Sequence, residues 1–411
     1  MKRAGFAFGA LAALASISSG QRTYGERHVW WDAGDGGILP VEEEYDDPTG
    51  QITILNTTGF IHTKDHAFFE PLGANGRACV TCHQPSSAMS LSVASALSRW
   101  TAMRQKDPLF AAIDGSNCPD LPQDSRSSHS LLLDRGLFRI ALPWPPANVQ
   151  PEFRIEVVRD PTGCNKGKTI SVYRRPRVAA NLKHLVAGPT GTGFMADSRE
   201  ASLRAQAINA AMIHEQAPAP TPEQIRQIID FETQIYVAQS SDIRGGLLDE
   251  TLGPEKLSTA TSALPAPISF DVWKRPTQGI QQEFRASVAR GSDVFYSRCA
   301  SCHQPGTTRW MDIGTTNVDS SPDLPLFRVT CEGSGRVVYT QDPGRALISG
   351  KCADVGSIVV PQLRGLAARA PYFSNGSAQS LREVVEFYEK RFGVRYTEQE
   401  KQDLVNFLSA L

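Results

Sequence analysis

The chain has 411 residues, 41% of them hydrophobic and 21% charged, with a formal net charge of -1. Near-neutrality excludes the strongly basic surface of a nucleic-acid or acidic-membrane binder, so neither partner is expected. The length suits two or three domains, each with a core of its own.

Taken in chain order, residues 1–20 read as an export signal. Lys2 and Arg3 precede an almost wholly apolar stretch from Ala4 to Ile17, and Ala13-Leu14-Ala15 or Ser18-Ser19-Gly20 offers a cleavage site. The apolar run is shorter than the ~20 residues of a spanning helix, and no other run of that length follows. A soluble periplasmic protein without a stable membrane span is expected, with an uncleaved anchor as the alternative. Residues 21–60 are polar and acidic (Glu42-Glu43-Glu44, Asp46-Asp47) and read as an extended arm. Leu91 to Met103 and Ser202 to Met212 have helical composition, and Phe138 to Leu142 suggests a hairpin among loops. Arg174, Arg175 and Arg177, interrupted by Pro176, form the only tight basic cluster and read as a solvated loop. Pro222 to Gln239 reads as a helix capped by Thr221. Gly253, Pro254, Pro265, Pro267 and Pro276 mark a linker over 252–277. A helix over 283–295 follows, then Leu381–Phe392 capped by Ser380, and a last helix capped by Thr397. In the last helix, Leu404, Phe407, Leu408 and Leu411 form one apolar stripe.

Chemistry concentrates in the cysteines. Cys79-Val80-Thr81-Cys82-His83 and Cys299-Ala300-Ser301-Cys302-His303 repeat one pattern, the usual attachment signature of a c-type haem. Two thiols at this spacing add across the two vinyl groups of one haem, and the adjacent histidine reaches the iron. A zinc reading would need further close ligands. Two covalently bound haems c are therefore expected. Cys118, Cys164, Cys331 and Cys352 remain. In an oxidising compartment they favour two disulfides with three connectivities, of which nearest-neighbour pairing gives Cys118–Cys164 and Cys331–Cys352. Free thiols are the alternative.

An iron with one protein ligand is open for chemistry, and a second ligand makes it an electron carrier. After His303 there is no histidine, and the only methionine, Met311, lies eight residues on, too close to cross to the far face. Tyrosines, lysines or a ligand from the other domain remain. For the first haem Met89 is equally close, whereas His129, His184, His214 and Met195 are far enough along to reach back.

From about residue 58 onward the chain resembles the bacterial dihaem cytochrome c peroxidases and the MauG-type enzymes, with the dihaem rubber oxygenases as further relatives. The resemblance rests on the order of the haem motifs and on three stretches: 172–181 (VYRRPRVAAN), 194–206 (FMADSREASLRAQ) and 370–381 (APYFSNGSAQSL) continuing to Tyr388. It implies a mainly α fold of two cytochrome c-like haem domains with long loops and little strand. Residues 61–264 would form the active-site domain and 265–411 the electron-transfer domain. It implies that the N-terminal haem meets hydrogen peroxide or dioxygen, and that the C-terminal haem stores or relays an electron. Tyr388 falls where the peroxidases have a methionine ligand and MauG-type members a tyrosine; packing in the core is the alternative. Gln206 matches a distal-pocket glutamine, and the family's acid/base glutamate falls at His214-Glu215-Gln216, which makes His214 or Glu215 the candidate proton carrier. Exposed helix positions are the alternative for these.

Two departures stand out. Ala196 replaces the family's tryptophan between the haems, leaving Trp100 or Trp144 as other routes, and Ser374 replaces a histidine. The expected function is peroxide reduction with electrons from a small donor protein such as a cytochrome c or cupredoxin. The alternatives are MauG-like or oxygenase-type oxidation of an organic or protein substrate, and pure electron transfer with both irons capped, the first by Met89 or His129. The resemblance also allows one interdomain calcium ion, without assignable ligands, and a homodimer.

Overall fold

The computed structural model describes residues 30–186, 193–248, 270–274, 279–303, 310–311 and 321–411. The expected export signal and most of the expected linker lie outside them. In chain order the strands and helices begin with β1 (Ile38–Leu39), β2 (Glu42–Asp47), β3 (Gly50–Asn56), β4 (Ile61–His62), α1 (Val93–Met103) and α2 (Ser130–Arg135). Next come β5 (Phe138–Pro143), β6 (Phe153–Arg159), β7 (Thr169–Arg174), α3 (Leu182–Val186), α4 (Leu203–His214), α5 (Pro222–Gln234), β8 (Ile235–Asp242) and β9 (Gly246–Leu247). The second half contributes α6 (Ile280–Arg298), β10 (Trp310–Met311), β11 (Leu326–Cys331), β12 (Val337–Thr340), α7 (Ala346–Ser349), β13 (Ile358–Val359), α8 (Leu381–Phe392) and α9 (Glu398–Ser409).

The helix starts follow local chemistry. Ser202, Thr221, Ser380 and Thr397 each accept a backbone N–H from three residues on, which satisfies one of the donors a helix leaves open. Thr221 and Thr397 complete the reciprocal capping box through Gln224 and Glu400.

The expectation of little strand is corrected. The chain is mixed, 35% helix and 20% strand, with several small sheets. The arm expected over 21–60 is in part the hairpin β2–β3, which joins β8 and β9 in a four-stranded sheet. The run to Gln239 leaves its helix at Gln234, because Ile235-Tyr236-Val237 pairs with β3. β6 pairs with β11, and β5 pairs with β7 as the expected hairpin-like ladder. Strand partners this far apart in sequence leave no local periodicity to read.

Two main apolar cores form, each drawn mostly from one half of the chain. One gathers Ile52, Ile54, Phe68, Phe69, Phe231 and Val237 beneath the first haem motif. The other gathers Phe270, Trp273, Phe284, Phe295, Phe407 and Leu408 around α6, α8 and α9. At the crossing of α6 and α9, Gly291 lies against the Asp403 carbonyl, leaving no room for a Cβ. Asp403 also accepts from Ser287 and Arg290, pinning the helix that leads into the second motif. Disulfides join Cys118 to Cys164 and Cys331 to Cys352, with Cα atoms 5.4 and 5.8 Å apart. Among the described residues no helix is long and apolar enough to cross a membrane.

Candidate functional site

One cavity of about 540 Å³ is lined by both motifs: Cys79, Cys82 and His83 on one side, Cys299, Cys302 and His303 on the other. The four thiols are free and half-buried, while the other four cysteines are bonded to each other. The same backbone hydrogen bond closes each motif, His83 N–H to the Cys79 carbonyl and His303 N–H to the Cys299 carbonyl, both at 3.1 Å. Sequence-local turns thus set each pair of thiols beside its imidazole.

The imidazoles suit metal ligation. His83 lies deep in the protein, yet faces the cavity. Burial pulls its pKa down to about 4, so the ring is neutral. Its Nδ1 lies 3.2 Å from the Met89 carbonyl, which fixes the tautomer and leaves Nε2 for iron. Burial also lowers His303, against an opposing pull from the Pro361 backbone, and its buried Nδ1 has no hydrogen-bond partner among the described residues. Free paired thiols and neutral imidazoles on a shared cavity fit covalent haem at both motifs.

The surroundings of the two motifs differ. Around the first, Arg77 is buried in an ion pair with Asp114, and its Nη2 donates to the Leu109 carbonyl at 2.7 Å. Asp114 also accepts from His214 Nδ1 at 2.5 Å. Burial opposes ionisation of Asp114, but Arg77 and His214 together hold its pKa below the usual value. Glu215 is buried, accepts from Leu72 N–H at 3.1 Å, and lies 3.4 Å from the Cys79 sulfur. Burial pushes its pKa up to about 7, against the opposing pull of those donors. Gln206 lines the same cavity, with its buried Oε1 unpartnered.

Glu232, on α5, escaped the sequence reading. It is buried, lines the cavity, has an unpartnered Oε2, and burial raises its pKa to about 8. A charged residue on an otherwise apolar helix face (Ile225, Ile228, Phe231) is the signal that could have found it.

Around the second motif the walls are aromatic and aliphatic: Phe295, Phe373, Val384, Val385, Tyr388 and Leu408. Tyr388 packs against Phe373 and stacks on Phe392, and burial raises the pKa of its hydroxyl, with the Cys299 and Cys302 thiols opposing ionisation further.

Several of the candidate ligands and electron routes lose their support. Met89 points into the first core, and both ring nitrogens of His129 are taken by the carbonyls of Gly115 and Gln123. Neither lines the cavity, whereas Met195 and His214 do. Trp100 packs on Phe110 and Trp144 on Phe153, both away from the cavity, while Ala196 and Ser374 line it. Among the described residues no group of three or more His, Cys, Asp or Glu is placed to hold a metal ion. The arginine cluster is corrected outright. Arg174 is buried between Asp197 and Asp342, and Arg175 and Arg177 line the cavity. Charge predicts solvation only where no internal partner exists.

No protein-family model matches the chain. A cytochrome-c peroxidase, IdrP1, of Pseudomonas sp. (strain SCT) is 30% identical over 169 residues, covering 35% of this chain and 44% of that protein. The cytochrome-c peroxidase IdrP2 of the same strain is 28% identical over 208 residues, covering 46% and 55%. The chain thus spans about half the length of the curated relatives it matches. A solved MauG-like protein associated with microbial copper homeostasis is similar over 59% of this chain and 74% of its own, with 19% identity and a TM-score of 0.36. Kuenenia stuttgartiensis hydrazine synthase is similar over 78% and 93%, with 16% identity and a TM-score of 0.34.

Proposed function

We propose that this chain, a distant homologue of bacterial cytochrome c peroxidases, is a periplasmic dihaem oxidoreductase that reduces hydrogen peroxide at its first haem with electrons relayed by its second. The observation that carries the reading is the cavity shared by two free Cys-x-x-Cys-His turns whose walls differ in chemistry. The two disulfides suit an oxidising compartment.

Bound haem would supply a redox-active iron at each turn, open to peroxide at the first and confined to electron exchange at the second. The chain's own residues supply the rest. His83 and His303, as neutral imidazoles, would each hold one iron. Asp114 orients His214 through Nδ1, leaving Nε2 to take up and return a proton at the cavity wall. Gln206 offers an unpaired acceptor, and Glu215 holds a proton near neutral pH. The second site is walled mainly by aromatic and aliphatic side chains, which suits electron storage. A small cytochrome c or cupredoxin is the donor of fitting size and chemistry.

A second reading, oxidation of an organic or protein substrate, draws on Tyr388 beside the second motif and on Ala196, which puts no aromatic ring at its place in the cavity wall. Pure electron transfer has lost its proposed caps, since Met89 and His129 are engaged elsewhere.

The test is electron paramagnetic resonance of the holoprotein, fully oxidised and then half-reduced, followed by peroxide turnover with a reduced donor. A high-spin ferric signal in either state together with turnover supports the reading. Two low-spin haems in both states, or no peroxide consumption, defeats it.

A further inference from the structure

Arg175, Arg177 and Arg369 present a problem that the proposed chemistry does not resolve. All three line the cavity, and among the described residues none is paired with a carboxylate. Their hydrogen bonds go to backbone carbonyls alone. Arg175 donates to Arg135, Leu91 and Arg369 at 3.2, 2.5 and 2.8 Å. Arg177 donates to Val359 and Val360 at 2.9 and 3.3 Å, and Arg369 to Gln362 at 2.8 Å. The Nε of Arg369 is buried without any partner. The nearby acids are committed: Asp197 to Arg174 and Arg199, and Asp342 to Arg174.

Carbonyls solvate a guanidinium but do not neutralise it. Gathering three such cations at one wall of a cavity is costly unless an anion completes them. Burial, and repulsion from Arg369 on both Arg175 and Arg177, pull their pKa values down to about 9 and 10; burial brings Arg369 to about 10. All three stay charged at neutral pH. Arg175 and Arg177 come from the segment after β7, and Arg369 from the segment before α8, so the cluster joins the two halves beside both motifs.

We infer that Arg175, Arg177 and Arg369 form an internal carboxylate-binding site, completed by the propionates of the attached haems. Planar guanidinium forks match carboxylates in geometry and charge. The inference rests on haem attachment as proposed above. The cluster is thereby a positioning and potential-setting device. Guanidiniums that balance the propionates remove negative charge from near the iron and favour the ferrous form, so neutralising one arginine should favour the ferric form.

The experiment compares holoprotein with Arg369→Gln, Arg177→Gln and the charge-retaining Arg369→Lys by spectroelectrochemical titration. The glutamine variants are expected to shift at least one haem about tenfold toward ferric at fixed potential, about 59 mV for a one-electron couple. Arg369→Lys should retain most of the wild-type value. Unchanged potentials in both glutamine variants with full haem content would overturn the inference while leaving peroxide turnover standing. A chain that attaches no haem overturns this inference and the functional reading together. Should the variants fail to fold, wild-type protein grown on 5-aminolaevulinate labelled with 13C at its carboxyl carries the label in its propionates. Redox-difference infrared spectra should then show labelled carboxylate bands of the ionised form at pH 7. A labelled band of the protonated acid overturns the pairing. A free carboxylate also matches the site, so acetate and succinate are titrated into wild type; saturable spectral shifts would assign the cluster to a soluble anion and overturn the propionate assignment.

Discussion

The two Cys-x-x-Cys-His turns share a backbone geometry and differ in almost everything around them. The first is ringed by polar and acid–base side chains: Asp114, His214, Glu215, Glu232 and Gln206. The second is walled by Phe295, Phe373, Val384, Val385 and Leu408, with the tyrosines Tyr388 and Tyr396. Proton-coupled chemistry on oxygen needs groups of the first kind, and an electron store is best kept dry by the second. In the proposed function one attachment motif would serve two purposes, because packing, not the motif, sets the dielectric and the proton supply.

The largest break of that comparison comes from removing the second site altogether. Cys299→Ser/Cys302→Ser should leave one of two haems by pyridine haemochrome and abolish sustained peroxide turnover, while the first haem still binds cyanide. Full turnover in that variant would show that the second site is not needed to relay electrons.

Next in size is the proton carrier. His214→Gln should lower kcat/KM for peroxide by roughly 10²–10⁴-fold, with the spectrum of the second haem unchanged. A loss of under threefold, in a protein with full haem content, would remove His214 from the chemistry.

Gly291→Ala probes the scaffold of the second site alone. The new Cβ would meet the Asp403 carbonyl and push α9 from α6. A destabilisation of about 1–3 kcal/mol in urea unfolding is expected, with peroxide binding at the first haem retained. Wild-type stability would mean that the helix pair relaxes at no cost.

The smallest effect sharpens the electrostatic contrast. Glu232 has its pKa raised from 4.5 to about 8 by burial. Its contribution is therefore fully present below pH 4.5 and declines as pH rises through about 8, when the buried carboxyl must ionise. Glu232→Gln should flatten that decline, gaining on the order of 2 kcal/mol relative to wild type between pH 5 and pH 8. A parallel pH dependence in the two proteins would mean that Glu232 is ionised or solvated throughout.

The difference between the sites also marks what could be read early. The two candidate attachment turns were legible because the pattern needs only two thiols and an imidazole within five residues, so no distant contact is needed to recognise it. The caps at Thr221, Ser380 and Thr397 were legible for the same reason, since each acts within one turn. Gln206, His214 and Glu215, singled out by resemblance, do reach the cavity. Glu232 did not stand out, because a glutamate in an amphipathic helix is ordinarily a surface residue. The arginine cluster misled for the complementary reason: Asp342, which holds Arg174, lies in the other half of the chain.

The amino-acid sequence by itself determined where the two Cys-x-x-Cys-His turns stand, where the helices capped by Thr221, Ser380 and Thr397 begin, and that four cysteines were left to pair. Those properties are set by neighbours along the chain. Only the tertiary structure decided that β3 pairs with β8 and β6 with β11, that Asp114 meets His214, and that three arginines from two distant segments face one cavity. The physical reason is that strand pairing and burial of charge are settled by partners brought together in folding, and no local pattern of residues encodes which partners those will be.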